Sequence, residues 1–158
     1  MHMLVTTDSN PLALAGTFTG AILLAVLFIL IARVLRREKL LYATGLTLAA
    51  AVYPALAFAG DHYEKLLLEL PGLVVFPFIA FLGFRWNVRW LAVGWAGHAT
   101  WDVLFPSAPW WYVDGCIAFD FFLAGYILGE IRNSFSGVGR SLDVAEHHKP
   151  QLSLGAEA

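Results

Sequence analysis

Two strings in the second half of the chain carry the residue types that do chemistry. Gly97-His98-Ala99-Thr100-Trp101-Asp102 sets an imidazole and a carboxylate four residues apart, and Asp114-Gly115-Cys116-Ile117-Ala118-Phe119-Asp120 sets a thiol and a carboxylate at the same spacing. Four residues are about one helical turn, so on helices His98 and Asp102 share a face, and so do Cys116 and Asp120. An imidazole facing carboxylates can pass protons to and from a bound molecule. The same donors can ligate a divalent metal ion. Glu69, in a separate apolar run, is a fourth candidate for either role. A third use needs no chemistry: the groups can hydrogen-bond one another and lock a helical bundle.

What surrounds these groups narrows the field. The chain has 158 residues, of which 59% are hydrophobic and 14% charged, with a mean hydropathy of +0.67. Soluble domains run nearer 45–50% apolar and about 25% charged. Both departures point to a membrane, where an ionisable side chain at mid-depth costs about 2.5–3.5 kcal/mol on insertion scales and is rarely kept without a use or a partner. One cysteine, Cys116, excludes an intramolecular disulfide. The chain shows no Gly-rich phosphate loop, CxxC pair or GxSxG elbow, and its dispersed basic residues make no nucleic-acid face.

The elements that must position the candidates are apolar runs of the length a bilayer requires, about 20 residues. An all-α bundle of five transmembrane helices is predicted, at about 12–34, 40–60, 66–84, 88–105 and 111–131. Residues 1–11 precede it as an outer segment, and 133–158 read as a disordered cytoplasmic tail. The first run, long and followed by Arg33, reads as a retained span rather than a cleaved signal. Basic residues set the orientation. With the first loop in the cytoplasm, Arg33, Arg36, Arg37, Lys39, Arg85, Arg89, Arg132, Arg140 and Lys149 lie inside, and only Lys65 lies outside. The N-terminus is then outside and the C-terminus inside. Trp110, Trp111 and Tyr112 form an outer aromatic belt, Trp86 and Trp90 an inner one.

This topology brings His98 and Asp120 to similar depths in the outer half of the bundle, about 11 and 13 Å from the helix ends. Asp102 and Cys116 are shallower, and Glu69 could approach from a third side. Phe105, Phe119, Phe121 and Phe122 could wall a cavity there, and Gly94, Gly97, Gly115, Gly125 and Gly129 would let helices approach closely. Other polar residues read as ordinary: Asp61, His62 and Glu64 as a solvated loop, Asp114 as a first-turn helix charge, Cys116 as a packed small side chain, and Tyr53 as interhelical packing. Trp101 reads as interfacial, and Glu146, His147 and His148 as part of the tail.

The strings Gly94-Trp95-Ala96-Gly97-His98-Ala99-Thr100-Trp101-Asp102 and Gly115-Cys116-Ile117-Ala118-Phe119-Asp120 resemble the GWxxHxxWD and GCxxxD segments of a bacterial multi-pass membrane family of uncharacterised function. The likeness covers roughly the second half of the chain, and Glu69 is similar to an acidic residue of that family's preceding helix. That family often carries His just after the Asp of its motif; here Val103, Leu104 and Phe105 follow. The resemblance implies a polytopic membrane protein, in the cell membrane and for a bacterium the inner one, and no activity. A looser likeness links the His98–Asp102 pair to sterol-isomerase-type membrane domains.

The expected function is therefore a small membrane enzyme or binder of a hydrophobic, lipid-like ligand. His98, Asp102 and Asp120 are its catalytic candidates, and a divalent metal on His98, Asp102, Asp120 and Glu69 its cofactor candidate. Membrane lipid, a hydrophobic small molecule and a second copy of the chain are the expected partners, and nucleic acid is not. The alternatives are a proton- or cation-coupled transporter subunit and a structural subunit.

Overall fold

The protein was analysed as a computed structural model that describes residues 10–60, 63–106 and 108–147, the side chains of 63 and 134–147 excepted. Among the described residues the structure is all-α: α1 (Pro11–Val34), α2 (Glu38–Ala59), α3 (Tyr63–Arg85), α4 (Arg89–Leu104) and α5 (Trp110–His147). The described residues up to Leu128 belong to one compact unit and those from Gly129 to a second; the candidate site lies in the first.

Local chemistry explains the helix ends. The Asn10 side chain accepts the Leu12 N–H at 3.1 Å, and Pro11 takes the first helical position, where its missing N–H costs nothing. At the other end Arg36 adopts φ 53°, and the Arg37 N–H reaches back to the Ala32 carbonyl at 3.2 Å. That i to i−5 bond around a left-handed residue closes α1 as a Schellman turn and reverses the chain into α2. The links at 35–37 and 86–88 are short enough to make the helices they join antiparallel neighbours. α3 packs against both α2 and α4, and α2 also meets α1 and α4.

Four helices are long and apolar enough to cross a membrane: α1, α2, α3 over Glu64–Arg85, and α5 over Trp110–Asn133. The fifth, α4, has 16 residues. At 1.5 Å per residue it is about 24 Å long, short of the roughly 30 Å hydrocarbon slab. It is also the helix that carries His98 and Asp102. α5 continues as helix to His147, where an irregular tail is the expectation from 133 onward. The spacing of Ile131, Phe135, Val138 and Leu142 supplies a helical period there. Residues 148–158 lie outside the described set.

The packing buries small side chains and turns large apolar ones outward. The buried face of α1 is Ala21, Ala25, Ile29 and Ala32, small side chains that let the backbone approach its neighbours. Large aliphatic and aromatic residues such as Leu23, Leu67, Val74 and Phe78 point outward. Two glycines hold closest approaches. A Cβ on Gly83 would stand 2.5 Å from Leu91 Cγ and 2.9 Å from the Leu91 backbone nitrogen, and one on Gly94 would run into Leu46. Gly125 has nothing within 4 Å. Gly83→Ala is therefore expected to lower stability by about 1–3 kcal/mol through overpacking between α3 and α4, while Gly125→Ala is neutral or slightly stabilising. Thermal melts of both variants in detergent check this, and equal melting points would refute the close contact.

Candidate functional site

Three of the four candidates meet. His98 and Asp102 on α4 and Asp120 on α5 are buried, with 2%, 0% and 2% of their surface exposed. His98 Nδ1 hydrogen-bonds Asp120 Oδ2 at 2.7 Å, the ring N–H donating when the carboxylate is ionised. The same nitrogen is 3.7 Å from Asp102 Oδ2. One ligand atom from each of the three side chains lies within 4.8 Å of the others.

The helices around the cluster fix its ring. Phe76 on α3 meets the His98 imidazole edge-on, with centroids 5.0 Å apart. Tyr53 on α2 stacks on it at 6.4 Å. The ring also approaches the backbone carbonyl of Ala49, on α2 shortly before Pro54. The rotamer is thus held from α2, α3 and α5 at once. Asp102 is different. It is fully buried, yet neither carboxylate oxygen has a hydrogen-bond partner. The Tyr53 hydroxyl faces Asp102 and Cys116.

Glu69 does not join the three. It is buried, and its Oε2 accepts the Trp101 indole N–H at 2.9 Å. Phe76 packs edge-on against Trp101 at 6.0 Å, and Gly72 leaves room for the indole, since a Cβ there would sit 3.3 Å from it. This α3–α4 pair stands behind the cluster as a support.

In front of the cluster is a cavity of about 570 Å³, open on one side and walled by α1, α2, α4 and α5. His98 and Asp120 form part of its wall; Asp102 lies behind them. The remaining lining is almost entirely apolar: Phe28, Trp95, Tyr112 and Phe119 give it aromatic faces, and Gly16 and Gly20 of α1 leave space. A Cβ added at either glycine would touch nothing within 4 Å. Two hydrogen-bond donors on lining residues, the Tyr53 hydroxyl and the Trp95 indole N–H, are buried without a partner.

The remaining expectations fall as follows. Of the four phenylalanines expected to wall a cavity, only Phe119 does. Phe121 and Phe122 face outward, and Phe105 packs on Trp101 at 4.6 Å. The register of α5 explains this: Phe121 and Phe122 are one and two residues beyond Asp120, so they turn away from the face Asp120 and Cys116 share. Cys116 is half-buried and lines the cavity. Asp114 is half-buried and Glu64 exposed. Asp61, His62 and His148 lie outside the described residues, as do the side chains of Glu146 and His147. The contribution of α1 escapes sequence reasoning, because Gly16, Gly20 and Phe28 look like any lipid-facing residues.

No family model, curated protein or solved structure matches the chain. The geometry above is therefore the whole basis for a functional reading.

Removing the indole donor leaves a buried Glu69 oxygen short of a hydrogen bond, which costs about 1–3 kcal/mol. Trp101→Phe should thus lower the melting point in detergent clearly, whereas Trp86→Phe, at an exposed position, should stay within about 0.5 kcal/mol of the parent. Equal effects at the two positions would remove Trp101 from the support of the site.

Proposed function

We propose that the chain is a small enzyme or binder, embedded in a cell membrane, for a hydrophobic, lipid-like molecule that carries one polar group. The apolar part occupies the cavity between α1, α2, α4 and α5. The polar group meets the His98–Asp120 pair, with Tyr53 and Trp95 as further donors. The observation that carries this reading is the juxtaposition itself: a 2.7 Å imidazole–carboxylate pair forms part of the wall of a cavity that is otherwise apolar. A volume near 570 Å³ falls in the range of small-molecule sites, which combine apolar walls with a few convergent polar groups. The ring, held from three helices, is positioned to exchange a proton with a bound hydroxyl or carbonyl, a step that needs hydrogen-bond reach before anything else.

The finer topology belongs to the same proposal. All five helices cross, α4 with the help of its flanking residues. The basic residues other than Lys65 lie in the cytoplasm, the N-terminus outside, and the cavity opens in the outer half of the membrane. In a bacterium this is the inner membrane, and the resemblance of the GWxxHxxWD and GCxxxD strings to a multi-pass family supports the reading of a polytopic membrane protein.

Gly20→Leu separates the cavity from the fold, since Gly20 lines the cavity and a Cβ there meets nothing within 4 Å. Native mass spectrometry of the purified protein is expected to show a co-purified hydrophobic molecule, lost in Gly20→Leu with melting point retained. His98→Ala should retain the fold while weakening that binding or abolishing turnover of the molecule. Absence of any bound hydrophobic molecule, or its undiminished binding to Gly20→Leu, would defeat the proposal.

A further inference from the structure

We propose that His98, Asp102 and Asp120 together bind one divalent transition-metal ion, with Zn²⁺ the best-matched probe. The inference goes beyond the ligand reading and does not depend on which molecule enters the cavity.

Charge is the first argument. Two carboxylates and one imidazole crowd within 4.8 Å, and the chain has no Lys or Arg at 40–64, 66–84 or 90–131. No protein cation is therefore built into the apolar parts of the helices that surround the cluster. With both carboxylates ionised, a neutral imidazole leaves two negative charges and a protonated ring cancels only one, so the set must hold a carboxyl proton or a cation. An uncompensated charge in such surroundings is strongly unfavourable. A divalent ion closes the balance with all three side chains in their ligating forms, carboxylate, carboxylate and neutral imidazole.

Asp102 is the second argument. A carboxylate with no exposed surface and no hydrogen bond on either oxygen is an exception among buried polar groups and calls for a partner. Its Oδ2 lies 3.7 Å from His98 Nδ1, on the side of Asp120. An ion shared with His98 and Asp120 is such a partner.

Geometry is the third. Zinc bonds of about 2.1 Å to nitrogen and oxygen place tetrahedral ligands about 3.4 Å apart. The observed separations from His98 Nδ1 are 2.7 Å to Asp120 and 3.7 Å to Asp102. Both separations bracket that value and the third is at most 4.8 Å, so modest side-chain shifts turn the hydrogen-bonded set into a ligand set, with the ion in place of the proton that His98 and Asp120 share. Imidazole selects a borderline ion such as Zn²⁺ over Mg²⁺ or Ca²⁺, which prefer all-oxygen shells. Three protein ligands leave a coordination position open, and the wall formed by His98 and Asp120 turns it toward the cavity.

The test is metal stoichiometry on the full chain in detergent. Protein stripped with chelator and titrated with Zn²⁺ is expected to take up about one equivalent by calorimetry and elemental analysis, with a rise in melting point. Asp102→Asn should weaken uptake at least tenfold. Glu64→Gln, at an exposed carboxylate outside the cluster, should leave it unchanged. If Asp102→Asn does not fold, the wild-type titration still decides. No stoichiometric uptake of Zn²⁺, Mn²⁺ or Fe²⁺ by wild type overturns the proposal, and so does full uptake by folded Asp102→Asn. Stoichiometric zinc without any hydrophobic ligand would sink the ligand reading alone; a bound hydrophobic ligand without metal would sink this one alone.

Discussion

The structure turns on the hydrogen bond between His98 on α4 and Asp120 on α5, 2.7 Å long and buried on both sides. Taking an imidazole and a carboxylate out of water costs several kcal/mol per ionised group, and only close pairing recovers it. Everything near the pair serves that requirement. Tyr53 and Phe76 hold the ring between α2 and α3. The Glu69–Trp101 bond braces α3 against α4 one turn from the pair. Gly83 and Gly94 allow α4 to sit close enough to α3 and α2 for these contacts to form.

The same packing leaves the pair on the wall of an open cavity. Small residues of α1 and aromatic residues of α2, α4 and α5 enclose a cavity that ends at His98 and Asp120. A bundle built merely for stability would fill that volume, since unfilled apolar space forfeits dispersion contacts. It would also pair Asp102 or replace it with an apolar residue of similar size, which is often neutral or stabilising. The retained cavity and an Asp102 whose oxygens accept no close hydrogen bond both run against stability, and a function is the physical reason to keep such features. This separates the site from the Glu69–Trp101 pair, whose indole donor and carboxylate acceptor are matched.

Much of this was legible in the residues. Five helices follow from run length and from the Gly, Pro and charged breaks between runs, and their bounds fall within a few residues of the expected ones, except that α5 runs on past 131 to His147. The convergence of His98, Asp102 and Asp120 follows from one-turn spacing and matched depth. Other features were not legible. The helices are apolar on all sides, so no periodicity marks which face turns inward, and Phe119 cannot be told from Phe121 or Phe122 by type. Tyr53, Trp95 and Phe28 reach the cavity through tertiary packing that no local pattern encodes. Glu69 and Asp102 look alike in sequence, two acids in apolar runs, and only the position of the Trp101 indole assigns one to a bracing pair and leaves the other to the cluster.

The central claim is that His98 and Asp120 act on each other across the helix interface. A double-mutant cycle on His98→Ala and Asp120→Asn, read as unfolding free energy in detergent, measures that directly. The expected coupling is about 1.5–3 kcal/mol, the range for a hydrogen bond with a charged partner. Effects that simply add, within about 0.5 kcal/mol, would contradict the account.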